Sequence, residues 1–389
     1  MTDICPVCDS TRAVPVEKRS SVPVLMNKLY PSREEARRAA CGDLDIVHCE
    51  DCGFVWNRAF DSQLVVYDAS YENDQSYSPA FLDHVKARAA DVLVALPQGA
   101  LLNFLEVGCG QGGFIREVAS KAGPRLCSAE GFDPAWRGAD GEGPAGGRIH
   151  KLYFDEVSAR RLTHRPNVIA TRHTIEHVPR PITFLSTIRN SLGPNSRARL
   201  FVETPSVTWI LRHEAMQDLF YEHCSIFTVQ SLRYALEKSG FEVLRVDEVF
   251  GGQYLWAEAE ANNNVSTRPP HGAGLGNLAD AGQRFIGRWR AAVNDALSEG
   301  PVAIWGAGAK GATFSILIDP EGTLIDHVID INSAKQGLYI GGSGLPVLSP
   351  EVSRTRNPRT IFVMNPNYLA EIRDRADQAG ISARLVPLE

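Results

Sequence analysis

The chain has 389 residues, of which 44% are hydrophobic and 22% charged, and its formal net charge is −6. That length suits about two to three domains of an ordinary globular protein. The acidic balance argues against a phosphate backbone as the main partner, because nucleic-acid binders present a basic face. The first residues, MTDICPVCDS, are too polar for a secretory signal, and no apolar run approaches the about 18 residues that a bilayer span needs. A cytoplasmic protein with neither membrane nor nucleic-acid partner is therefore expected.

Cys5, Cys8, Cys49 and Cys52 form two CxxC pairs, in CPVC and CEDC. Two thiolates three residues apart on a tight turn grip one side of a tetrahedral ion, and a second such turn completes an S₄ set. Structural Zn²⁺ is predicted there, since a closed S₄ site has no position left for substrate. The gap between the pairs exceeds the usual spacing of about 15–20 residues, and the Arg- and Glu-rich insert reads as a loop or helix between knuckles. Neither pair follows a strand at a helix start, which argues against thioredoxin-like redox chemistry. Cys41 and His48 read as bystanders.

A Tyr-rich segment, YDASYENDQSYSPAF, leads into a helical stretch, FLDHVKARAADVLVAL. From Leu101 the apolar runs LLNFLEVG, LCSAEGFD, NVIATRH and ARLFVETP alternate with helical periodicity, the signature of a βαβ series with buried parallel strands. The Asn-, Pro- and Gly-rich stretch AEANNNVSTRPPHGAGLGNLADAG reads as an exposed connection. After the helix RFIGRWRAAVNDAL, a second α/β series begins with PVAIWGAG, IDHVIDIN and TIFVMN.

In NFLEVGCGQGGF an apolar strand ends at Glu106 and is followed by Gly108, Gly110, Gly112 and Gly113 before a helix. Glycines there let the backbone turn sharply and approach a ligand at a helix N-terminus. An acid ahead of the first glycine suits a ligand with an amino-acid moiety better than a pyrophosphate. In GFDP, Asp133 closes the next strand, where a carboxylate can take both hydroxyls of a ribose. This pairing resembles the class I S-adenosylmethionine-dependent methyltransferases. The resemblance implies that the glycine loop holds the methionyl end, that Asp133 holds the ribose, and that Phe154 and Asp155 of YFDE lie by the adenine.

The C-terminal half carries a second glycine loop, VAIWGAGAKG, with Gly306, Gly308 and Gly311 spaced as GxGxxG and Asp330 about twenty residues on. By that fingerprint alone it is a dinucleotide site. The order of CPVC, YENDQSYSP, EVGCGQGGF, RHTIEHVPRP, FYEHCSIFT and KQGLYIGG along the whole chain is, however, similar to that in the sugar C-methyltransferase family. The resemblance implies an α/β architecture in three parts: a zinc-binding domain over 1–62, a class I methyltransferase domain over 63–262, and a Rossmann-like domain over 280–389. It implies a nucleotide-linked keto-sugar as substrate; a monomer or weak homodimer is expected. It makes the second loop a cleft wall, with Lys335 to Gly337 and MNPNY facing the nucleotide or sugar.

Such chemistry explains the ionisable cluster in FYEHCSIFT. A carbon nucleophile forms by loss of a proton next to a carbonyl, which needs a base near neutral pH and a donor for the enolate oxygen. His223 is expected as base, Glu222 as the group that orients it, and Tyr221 as donor. The family resemblance adds His173 and Tyr71, the latter with Tyr67 and Tyr77 close by. His177 reads as structural, and His213 and Cys224 are unassigned. Three alternatives stay open: a nicotinamide oxidoreductase or bifunctional enzyme, a methyltransferase acting on a non-sugar small molecule (on oxygen included), and a zinc-ribbon RNA methyltransferase.

Overall fold

The computed structural model describes residues 3–68, 71–72, 74–265, 267–268, 270, 275 and 280–388. The apolar runs fold as the strands Leu102–Val107, Leu126–Phe132, Val168–Arg172 and Arg199–Pro205. They pair in parallel, and Arg148–His150 adds a parallel edge strand beside Leu126–Phe132. On the other side Tyr254–Ala261 joins antiparallel to Arg199–Pro205, and Phe241–Val249 joins antiparallel to it. Helices cover both faces, so the central strands are buried along almost their whole length rather than on alternate residues.

The parallel strands all end on one edge of the sheet. The turn after Val107, Asp133 after Phe132, and His173 after Arg172 follow those ends directly, where open α/β sheets bind their ligands. Helix Gly113–Ala122 buries Phe114, Ile115, Val118 and Ala122 against the sheet. Helix Pro79–Val94 begins at Ser78, whose hydroxyl accepts from the Phe81 N–H.

The insert between the cysteine pairs differs from the expected loop or helix. It is mainly two long antiparallel strands, Ala13–Pro23 and Cys41–Cys49, with the short helix Arg33–Arg37 between them. Of the charged residues of VPVEKRSSVP, Lys18 is exposed, whereas Arg19 pairs with Glu17 and donates to the Met216 and Leu219 carbonyls, so only part of the charge lines the outer side of the strand. Val55–Asn57 follows, and the fourth strand of this sheet is Ser225–Ile226, paired with Trp56 and Val55. The segment that carries His223 is thereby clamped to the cysteine-bearing unit.

In the C-terminal part five strands run parallel in the order Val347–Leu348, His327–Ile329, Val302–Trp305, Thr360–Val363, Arg384–Pro387. Helix Ala281–Leu297 packs Phe285, Trp289 and Val293 into the core it shares with Phe314 and Phe362. Leu29–Tyr30 pairs with Tyr339–Ile340, which ties this part to the N-terminal residues. Among the described residues no helix is long and apolar enough to cross a membrane.

Candidate active site

The cysteine pairs meet at one point. Cys5 and Cys52 lie 3.6 Å apart and Cys8 and Cys49 3.5 Å apart, sulfur to sulfur, and all four sulfurs fall within 4.8 Å of one another. Tetrahedral zinc with bonds of about 2.3 Å sets its sulfurs about 3.8 Å apart, so this set fits such an ion. Gly53, at φ 71°, makes the turn that returns its N–H to the Cys49 carbonyl. Phe54, Trp56 and Phe227 pack in the same core as these cysteines.

The edge of the seven-stranded sheet opens into a cavity of about 460 Å³, lined by Glu106, Gly108, Gly110, Asp133 and Phe154 among others. The turn has positive φ at Gly108 (75°), Gly110 (52°) and Gly112 (69°). A Cβ on Gly108 would stand 2.0 Å from Thr174 Oγ1, so glycine is required there on two counts. Gly112 lies behind the wall, capping helix Gly113–Ala122. Asp133 accepts from the Gly110 and Ala135 N–H groups at 2.7 and 2.8 Å, which fixes the loop and leaves acceptor capacity for a diol. Phe154 packs edge-on against Phe132 and lines the same cavity.

Glu106 is buried, and its Oε2 has no hydrogen-bond partner. Burial pushes its carboxyl up to about 8, with the Arg172 charge pulling the other way. An unpartnered buried carboxyl oxygen, glycine N–H groups at a helix start and a diol-accepting acid together fit the aminoacyl and ribosyl ends of S-adenosylmethionine.

A second cavity, of about 270 Å³, opens between this sheet and the C-terminal one. The two cavities share Tyr71, His173 and His177 in their walls. His223 faces the second cavity, with its ring 4.9 Å from His177 and 3.9 Å from Phe220. Its Nδ1 is buried without a hydrogen-bond partner. Burial, then the neighbouring His177, holds its pKa well below the usual imidazole value. The ring is therefore neutral near pH 7 and keeps a lone pair free.

Two neighbours of His223 stand elsewhere than the sequence suggested. Tyr221 lines neither cavity. Its hydroxyl accepts from the Asp61 N–H at 2.9 Å and its ring packs on Phe60, so it ties the turn rather than facing substrate. Glu222 does not hold His223 either. It accepts from the Tyr71 hydroxyl at 2.9 Å and the Met26 N–H at 3.0 Å. Of the three candidate tyrosines, Tyr71 therefore takes the Glu222 contact, with Asn27 donating to its oxygen. Tyr67 instead meets His177 Nδ1 at 2.7 Å, and Tyr77 is exposed on the wall of the second cavity.

Burial raises Glu222 to about 8, against the opposing hydrogen bonds from Tyr71 and Met26. A carboxyl raised in the fold holds its proton more tightly folded than unfolded, so its stabilisation is complete below the ordinary 4.5 and is lost as pH rises toward 8. Glu222→Gln should flatten the fall of Tm between pH 5 and 8, measured by differential scanning fluorimetry. An unchanged slope would show that Glu222 does not carry it.

Sequence reasoning missed the support beneath His173. This residue has φ 49°, a left-handed backbone that non-glycine residues rarely adopt, and its N–H donates to the Glu203 carbonyl at 2.9 Å. The Glu203 carboxylate holds Arg172 Nε at 2.6 Å and His84 Nε2. Burial alone would raise Glu203, but Arg172 and His84 hold it well below the usual carboxylate range. Only the acid set within the buried strand RLFVETP signalled this group.

In the C-terminal loop, Gly306, Gly308, Lys310 and Gly311 line the second cavity. Asp330 accepts from the Ala307 N–H at 2.7 Å and the Asn332 N–H at 2.8 Å, with Lys335 Nζ 3.9 Å away. Lys335 also donates to the Ala307 carbonyl, and Lys310 pairs with Asp218 at 2.8 Å.

A parallel sheet with an antiparallel seventh strand, a glycine turn and an acid closing the next strand together define a class I methyltransferase. Residues 75–246 match the family described as methyltransferase domain, and residues 280–384 match the C-methyltransferase C-terminal domain. The two matches together are the domains of an S-adenosylmethionine-dependent C-methyltransferase. The chain is 26% identical to C-methyltransferase NovU of Streptomyces niveus, over 96% of this chain and 91% of that protein. Among solved structures, an S-adenosylmethionine-dependent methyltransferase from Mesorhizobium loti is 16% identical with a TM-score of 0.34, over 45% of this chain and 99% of that one. The CurJ carbon methyltransferase is 17% identical with a TM-score of 0.35, over 48% and 57%.

Proposed function

We propose that the enzyme methylates the carbon next to the keto group of a nucleotide-linked sugar, with His223 as the base. The observation that carries this reading is the free Nδ1 of a neutral His223 on the wall of a cavity that shares Tyr71, His173 and His177 with the glycine-loop cavity. S-adenosylmethionine, bound along Gly108, Gly110, Asp133 and Phe154 with Glu106 at its aminoacyl end, supplies an electrophilic methyl group on a sulfonium. His223 accepts the acidic proton of the acceptor, leaving an enolate. The Tyr71 hydroxyl, which donates to Glu222 and accepts from Asn27 before the acceptor binds, turns its proton to the enolate oxygen as charge develops there. His173 stands between the two cavities and orients the acceptor carbon.

On this reading the cysteine set holds structural Zn²⁺ through Cys5, Cys8, Cys49 and Cys52, away from the chemistry. The start of helix Ala309–Ile318, with Lys310 and Lys335, suits the diphosphate of the acceptor. Methyl transfer is redox-neutral and needs no hydride, which favours a cleft wall over a nicotinamide site. Isothermal titration should give binding of S-adenosylhomocysteine, no heat with NADH, and binding of at least one nucleoside diphosphate that Lys335→Ala weakens about tenfold. NADH binding would favour the oxidoreductase alternative. Failure of every nucleoside diphosphate would favour a non-sugar acceptor.

A further inference from the structure

The wall between the two cavities holds a cluster of which methyl transfer uses His223 alone. Glu176, His177 and His223 bring a carboxylate oxygen and two imidazole nitrogens within 4.8 Å of one another. Glu176 is fully buried. Its Oε2 accepts from the Thr204 hydroxyl at 3.1 Å, while Oε1 has no hydrogen-bond partner and lies 3.4 Å from His173 Nδ1. His223 Nδ1 is likewise buried and unpartnered. The Tyr67 hydroxyl takes His177 Nδ1 at 2.7 Å, the kind of outer contact that fixes the ring of an imidazole ligated through its other nitrogen.

We propose that Glu176, His177 and His223 form a second divalent-cation site, separate from the cysteine set, with its open coordination position toward the acceptor cavity. Two imidazoles and one carboxylate suit borderline ions such as Zn²⁺, Co²⁺ or Ni²⁺, and not the all-oxygen preference of Mg²⁺ or Ca²⁺. Residues 175–177 form one turn, and His223 lies in the segment clamped by strand Ser225–Ile226, so the three donors come from two anchored elements. A bound ion takes the His223 lone pair. Metal therefore blocks proton abstraction reversibly, a consequence that rests on His223 acting as the base.

The test is a Co²⁺ titration of the full-length protein with its cysteine site already filled by zinc. The expected result is one further equivalent bound at micromolar metal, with weak visible bands and no thiolate-to-cobalt charge-transfer band. Glu176→Gln and His177→Ala should each weaken that equivalent at least tenfold. No further equivalent in the wild type, a thiolate band, or wild-type binding by both variants overturns the site. The wild-type stoichiometry decides even if a variant fails to fold. Absence of this ion leaves the base assignment untouched, whereas turnover by His223→Asn would remove that assignment and leave the metal site standing.

Discussion

His223→Asn should bind S-adenosylhomocysteine within about twofold of the wild type while turnover falls by about 10²–10⁴-fold, the usual worth of a general base. The two effects separate because of where the ring stands. His223 faces the acceptor cavity and is absent from the wall of the glycine-loop cavity. Asparagine keeps a polar group of similar reach but has no lone pair basic enough to take a carbon-bound proton. Calorimetry and a methyl-transfer assay on the same preparation read both quantities. A variant that turns over like the wild type would remove His223 as base, and one that loses cofactor binding would show that the ring supports the donor cleft instead.

Cys49→Ser should reduce bound zinc from about one per chain to near zero and lower Tm by about 10 °C or more, since binding to structural zinc sites is also folding free energy of about 10–16 kcal/mol. Cys49 ends the strand Cys41–Cys49, whose neighbour Val55–Asn57 pairs with Ser225–Ile226. Loss of the ion therefore loosens the strand that clamps the His223 segment as well as the N-terminal sheet. Turnover should fall further than cofactor affinity, because the glycine turn hangs from the other sheet. Metal analysis, thermal denaturation and calorimetry check the three outcomes. A variant that keeps its zinc or its Tm would contradict the assignment.

The sequence made legible whatever depends on short-range pattern. The apolar runs became parallel strands, the glycine turn took the positive φ angles that only glycine adopts easily, and the CxxC pairs met. What stayed hidden came from long-range contact. Glu222 finds Tyr71 151 residues away, and Glu203 finds His84 119 residues away. Ser225–Ile226 completes a sheet whose other strands all lie before residue 58. The adjacency of Tyr221, Glu222 and His223 suggested one joint site, yet consecutive side chains on a tight turn point in different directions. Tyr221 faces Asp61, Glu222 faces Tyr71, and His223 alone of the three reaches the cavity.

The most direct test is solvent-deuterium exchange at the carbon next to the keto group of the acceptor, followed by NMR in D₂O without S-adenosylmethionine. The acceptor is a keto-sugar linked to whichever nucleoside diphosphate calorimetry selects. Wild-type enzyme should wash deuterium into that position, and His223→Asn should not. A wild-type enzyme that transfers methyl yet exchanges no hydrogen there, or a variant that exchanges as fast as the wild type, would contradict carbanion formation at His223.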